Sequence, residues 1–131
     1  MRPRLIAVPL ILAITPLAFG GCFLAAAGAG AAGAIAYTNR GASSDVAGSV
    51  DQVFDRAVTA FGQNGVAETG RSTEDNGVKR RLIGKKGEQD VTVDLQRATD
   101  ATTKVEVIAR KNAVDYDREL AKTILNAIQA K

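Results

Sequence analysis

The chain has 131 residues, with 17 Lys plus Arg against 14 Asp plus Glu, no His and one Cys, which suits one small domain with a short appendage. Without His the usual general base and the commonest zinc ligand are gone, and one Cys makes neither an internal disulfide nor a multi-cysteine metal site. Taking away Arg2 and Arg4 with the apolar leader leaves 15 bases against 14 acids, too even a balance for the clustered positive field of a nucleic-acid binder.

In the leader, Arg2 and Arg4 form a short positive start, Leu5 to Ala18 is apolar and uncharged, and Gly20 and Gly21 precede Cys22. That is the layout of an export signal ending in a lipobox. Small residues let a signal peptidase close around the backbone, and the Cys22 thiol is the nucleophile that takes a diacylglyceryl group. The segment resembles a bacterial lipoprotein signal cleaved between Gly21 and Cys22, with Phe19 where that pattern usually has Leu. Three acyl chains on Cys22 exceed the two-anchor threshold for stable attachment. Phe23 rather than Asp after the Cys implies, by resemblance to enterobacterial sorting rules, an outer-membrane lipoprotein whose domain faces the periplasm. The competing reading keeps Leu5 to Ala36 as an uncleaved span, since the stretch is uncharged and exceeds the roughly 20 residues a membrane helix needs. Pro9, Pro16, Gly20 and Gly21 make that a poor continuous helix.

Gly28, Gly30 and Gly33 spell G-x-G-x-x-G, but a dinucleotide fingerprint needs a preceding strand and a following helix, and here it follows a lipidation site. A flexible tether is the simpler reading. Ala26 with Gly30 and Ala29 with Gly33 also have the small-xxx-small spacing that lets membrane helices approach, which leaves self-association through this segment as an alternative.

From about Arg40 the composition becomes mixed. Ser49 and Gln52 fit a capping box, and Val50, Val53, Phe54, Ala57, Val58 and Phe61 recur at helical spacing up to Gly62 or Asn64-Gly65. Asp51 and Asp55 suit the start of that helix. The period then changes to two. Val66 to Thr73 and Val78 to Lys85 flank the turn Glu74-Asp75-Asn76-Gly77, Lys86-Gly87-Glu88 turns the chain again, and Val91, Val93 and Leu95 alternate with polar residues. Ala98 to Thr102 is a third turn before Thr103 to Arg110. Val114, Ala121, Ile124, Leu125 and Ile128 line a final helix with Asp115, Asp117 and Glu119 near its start. A weak strand over Ala42 to Ala47 precedes the first helix. The expected fold is α+β and two-layered: an antiparallel meander of four to five strands in the order (β)αββββα, with two helices on one face. The expected organisation is a signal peptide over 1–21, a lipidated Ala/Gly-rich tether over 22–39 and the α+β domain over 40–131, large enough to fold alone.

The whole chain resembles a family of small uncharacterised proteobacterial lipoproteins classed as a domain of unknown function. The residues carrying the resemblance are Cys22, the Ala/Gly run to Ala36-Tyr37, Ser49-Val50-Asp51-Gln52-Val53-Phe54, Thr103-Lys104-Val105-Glu106-Val107, and the helix from Asp117 through Ile124 to Ile128. The family pattern has a Gly-rich step before the last helix, where this chain has Arg110-Lys111-Asn112-Ala113. The resemblance implies an exported, lipid-anchored α+β domain and brings no catalytic residue.

Besides the lipidation site Cys22, one surface stands out. Lys79, Arg80, Arg81, Lys85 and Lys86 put five positive charges into eight residues around one hairpin. A charged strand guarding a sheet edge is one reading; contact with anionic lipid, or with an acidic envelope partner, is the other. Asp115 and Asp117 lack the surroundings of a calcium loop, and no Ser-x-x-Lys occurs for a hydrolase. The sequence thus points to a non-enzymatic interaction module of the cell envelope, with no cofactor, metal or nucleic acid. It leaves the oligomeric state open. A carrier of small apolar ligands is the alternative, distinguished by a cavity of several hundred cubic ångströms under the helices.

Overall fold

The computed structural model describes residues 33–130. The signal peptide, Cys22, Gly28 and Gly30 therefore lie outside the described residues. Ser49 begins the first helix in the expected manner. Its hydroxyl accepts from the Gln52 amide at 3.3 Å while the Gln52 side chain accepts from the Ser49 amide at 3.1 Å, so two of the otherwise unpaired donors are satisfied. Helix α1 runs Val50–Gln63 and buries Val50, Val53, Phe54, Ala57, Ala60 and Phe61. At its end the Asn64 side-chain amide donates to the Ala60 carbonyl at 2.8 Å, and Gly65 takes positive φ.

Six strands form one antiparallel sheet: β1 Ala36–Tyr37, β2 Gly41–Ala47, β3 Ala67–Glu74, β4 Lys79–Lys86, β5 Gln89–Thr99 and β6 Thr102–Arg110, in the spatial order β1-β2-β6-β5-β4-β3. The meander β3 to β6 is as the alternation and turn residues indicate. The sheet exceeds the four to five expected strands because β2 is a full seven-residue strand and β1 adds a short edge inside the stretch given to the tether. Residue types alone are poor guides to β2, whose Ser-rich sequence has little strand propensity. Its pairing with β6 from Gly41↔Ile108 to Ala47↔Thr102 holds it instead.

Helix α2 runs Arg118–Gln129, later than the spacing suggests. Val114 does not join its apolar face: it is 87% exposed and precedes the Asp117 cap, whose carboxylate accepts from the Leu120 amide at 2.9 Å. Apolar spacing continued backwards past the cap, where the chain is no longer helical. Ala121, Ile124, Leu125 and Ile128 do face inward.

Both helices lie on one sheet face, α1 against β3 to β5 and α2 against β2 and β6. Between them and the sheet, Phe54, Phe61, Leu82, Val91, Val93, Leu95, Val105, Val107, Ile124, Leu125 and Ile128 are almost fully buried, each large side chain stabilising by about 1.5–3 kcal/mol. Gly84 allows this closeness. A Cβ there would stand 2.7 Å from the Phe61 ring, a Val66 methyl and the Ala67 carbonyl, so the end of α1 reaches β4 only over a bare backbone.

Candidate functional site

All five cations singled out from the sequence lie on β4, but the pleat divides them. Strand side chains alternate between faces, so Lys79, Arg81 and Lys85 join Ile83 on the face without helices, while Arg80 and Lys86 share the side of buried Leu82 and Gly84. Arg80 is a core-edge residue. Its guanidinium carbon sits 3.6 Å from the Phe54 ring centroid, its terminal nitrogen donates to Asp51 at 2.8 Å, and its buried Nε has no hydrogen-bond partner. A charge survives there because an aromatic face and a carboxylate replace part of its hydration. Asp51 therefore serves as the partner of Arg80 at the start of α1.

On the open face each of the three β4 cations meets an acid. Lys79 lies 3.2 Å from Asp75, Arg81 donates from Nε to Asp94, and Lys85 lies 3.7 Å from Asp90, which also accepts from Arg110 at 3.2 Å. The hydrogen bond to Asp94 raises the already high pKa of Arg81. Cross-strand pairing extends the pattern at two places, where Asp45 stands opposite Lys104 and Glu74 opposite Lys79, and breaks it at one, where Glu106 stands opposite Asp94. Five bases, Lys79, Arg81, Lys85, Lys104 and Arg110, and five acids, Asp45, Glu74, Asp90, Asp94 and Glu106, thus share that face, with opposite signs facing each other in five cross-strand pairs and like signs in one, Glu106 with Asp94. Across it runs an uncharged row in register, Gly41, Ile108, Thr92, Ile83 and Gly70. A depression of about 200 Å³ opens between Ser72, Glu74, Lys79, Arg81, Asp94 and Gln96. Its lining can pair with a peptide or headgroup carrying both signs of charge.

Lys86 differs from the other four. Among the described residues no carboxylate lies within 4.0 Å of it, and it borders a shallow depression with Gly87, Glu88, Gln89, Asp117 and Leu120. Asp117 is engaged on both oxygens, by the Leu120 amide and by Gln89 at 3.3 Å. The Leu120 hydrogen bond, aided by Gln89 and by nearby Lys111 and Lys86 against the cost of burial, holds its pKa below the usual carboxylate value. Its capping role explains the acid that sequence reasoning set beside Asp115. Among the described residues no cluster of three metal-ligating side chains occurs.

Between the helices and the sheet the core side chains form one buried apolar cluster. A hollow of about 280 Å³ between α1 and α2 lies on their outer side, lined by Asp55, Arg56, Thr59, Gln63, Ala127 and Ala130. Among the described residues no helix is long and apolar enough to cross a membrane. Sequence reasoning missed the inward course of Arg80. Counting by two along Lys79 to Lys86, with Leu82 as the apolar marker, was the available signal.

No curated protein matches the chain. The family model described as protein of unknown function DUF3568 matches residues 5–131, and the chain belongs to that family.

Proposed function

We propose that this is a lipid-anchored cell-envelope protein, acylated at Cys22 and carrying a non-enzymatic interaction module, and that it belongs among proteobacterial outer-membrane lipoproteins facing the periplasm. The anchor rests on the leader: Arg2 and Arg4, the apolar run and Gly20-Gly21-Cys22. The observation that carries the module is the contrast between a helix-covered sheet face lined with apolar side chains and an open face of mixed, mostly paired charge. A core packed as one buried apolar cluster favours a surface-binding role over a carrier of small apolar ligands. Paired charges of both signs favour an envelope protein with its own mixed charges over a uniformly anionic lipid surface, because each basic side chain of β4 on that face already has a carboxylate beside it.

The anchor is tested by intact mass of the membrane-extracted protein beside a Cys22→Ala variant fractionated in parallel. A mass starting at Cys22 plus acyl chains, with the variant lost from membranes, is expected; a mass starting at Met1 would return the apolar run from Leu5 to the status of a span, ending before the arm that packs on β2. The module is tested by crosslinking in cells with Lys79, Arg81 and Lys85 changed together to Glu. A specific crosslinked partner should disappear, while binding of the unlipidated chain to anionic vesicles should be weak before and after the change. Strong vesicle binding that the change abolishes would favour the lipid surface.

A further inference from the structure

Residues Gly33 to Tyr37 run back along β2, with Ala36 opposite Ser43 and Tyr37 opposite Ala42, and Ile35 packs against the core. Two sets of contacts tie this arm to α2. At the helix start the Tyr37 hydroxyl donates to Glu119 at 3.1 Å, and Lys122 lies 5.4 Å from the Tyr37 ring centroid. At the helix end the Gly33 carbonyl accepts from the Gln129 side-chain amide at 2.8 Å and from the Ser44 hydroxyl at 3.0 Å. Gln129 and Ser44 are themselves 2.7 Å apart. Gly33 fits because it has no side chain: a Cβ would stand 2.4 Å from the Asp45 carbonyl oxygen.

The clasp fixes the position of Gly33 on the domain. Gly33 sits beside Ser44 and Asp45, toward the end of β2. That same end of the sheet holds the Asp100-Ala101 turn, through the Gly48 amide bound to the Ala101 carbonyl at 2.8 Å. It also holds the Asp75 to Val78 turn, through the Arg97 amide bound to the Val78 carbonyl at 2.9 Å. The Gly87-Glu88 turn lies at the opposite end, beyond Lys86↔Gln89. Strand β6, Thr102–Arg110, separates the ends by about 30 Å. Residues 23–32 between Cys22 and Gly33 span at most about 35 Å when extended.

We infer that residues 33–37 are a strap that orients the domain on its anchor, with the Asp100-Ala101 end toward the bilayer and the Gly87-Glu88 end away from it. The inference rests on acylation at Cys22 for the bilayer and on the described contacts for the strap. It places Lys85 and Lys86 at the end turned away from the host membrane and available to a partner.

The strap is tested first without reference to the anchor, by amide hydrogen exchange of the full chain. Residues 34–38 should exchange at least about tenfold more slowly than in a Ser44→Ala, Gln129→Ala double variant, with β5 and β6 equally protected in both as the control for folding. Fast exchange of residues 34–38 in the unaltered chain would overturn the strap. The orientation is tested on acylated protein in vesicles, whose Cys22 sulfur is blocked, by energy transfer to labelled lipid from a fluorophore at Ala101→Cys or Glu88→Cys. Transfer should be clearly more efficient from position 101, and the difference should shrink in the double variant; equal transfer from both positions would overturn the orientation. Should intact mass show Cys22 unmodified, the anchor fails, the orientation fails with it, and the exchange result alone decides the strap.

Discussion

The same strands make two unlike surfaces. On β5, Val91, Val93 and Leu95 are fully buried under the helices, while Thr92 and Asp94, one residue away in each direction, stay partly open. On β4 the contrast falls between neighbouring arginines, Arg80 stacked on Phe54 and Arg81 paired with Asp94. The lesson is that a charge in this sheet is worth what its face makes of it. Under the helices it must be compensated by a specific neighbour, and on the open face water screens it.

The sharpest way to break that contrast is to treat the faces alike. Leu125→Ala removes a fully buried side chain of α2 and should destabilise by about 2–5 kcal/mol, whereas Thr92→Ala on the open face should stay within about 0.5 kcal/mol. Urea denaturation of both variants checks this; comparable losses would mean that the open face is packed in solution. Next in size is Arg80→Ala, expected to cost about 1–2 kcal/mol through the lost aromatic stacking and ion pair. Arg80→Lys should recover little of it, because an ammonium cannot stack as the planar guanidinium does. Full recovery in the Lys variant would reduce Arg80 to a simple partner of Asp51.

The cap of α2 provides a smaller, pH-dependent effect. The folded-state pKa of Asp117 lies below its ordinary 3.8, first because of the Leu120 amide. Asp117 therefore stabilises the fold above the unfolded-state value, and the contribution is lost as pH falls through the folded-state value. Asp117→Asn can still accept from the Leu120 amide but does not titrate there. Its stability should fall less steeply than that of the unaltered chain between about pH 5 and pH 2, measured by denaturation midpoints across that range. Parallel curves would show that Asp117 contributes no acid sensitivity.

Much of this was legible along the chain wherever the cause is local. The Ser49 and Gln52 box, the Asn76-Gly77 and Gly87 turns and the alternation of β5 and β6 each depend on residues a few positions apart, and each appears as read. The features that were not legible depend on distant partners. Strand β1 exists through Ser43 and Ala42, and Gly33 is held by Gln129, 96 residues away. The inward Arg80 depends on Phe54 in another element. The basic cluster read as one surface because a run of charges in sequence ignores the two-residue period that distributes them between faces. Val114 was drawn into α2 by apolar spacing alone, although Asp117 three residues later is the kind of residue that starts a helix.

The smallest expected effect is the most informative about the open face. Arg81 and Asp94 are 50% and 34% exposed in their side chains, and pairs so accessible contribute about 0–1 kcal/mol. Arg81→Ala should therefore lower stability by no more than about 0.5 kcal/mol at moderate salt. The difference should shrink further at about 1 M salt, where the screening length falls to roughly 3 Å. That expectation holds only while water covers the face. If a partner or a second copy covered it in solution, the pair would lose hydration, and removing Arg81 would leave Asp94 buried and uncompensated, a loss of several kcal/mol that salt would barely change. The size and salt dependence of this one substitution therefore report whether the mixed-charge face is solvated in the isolated chain or already occupied.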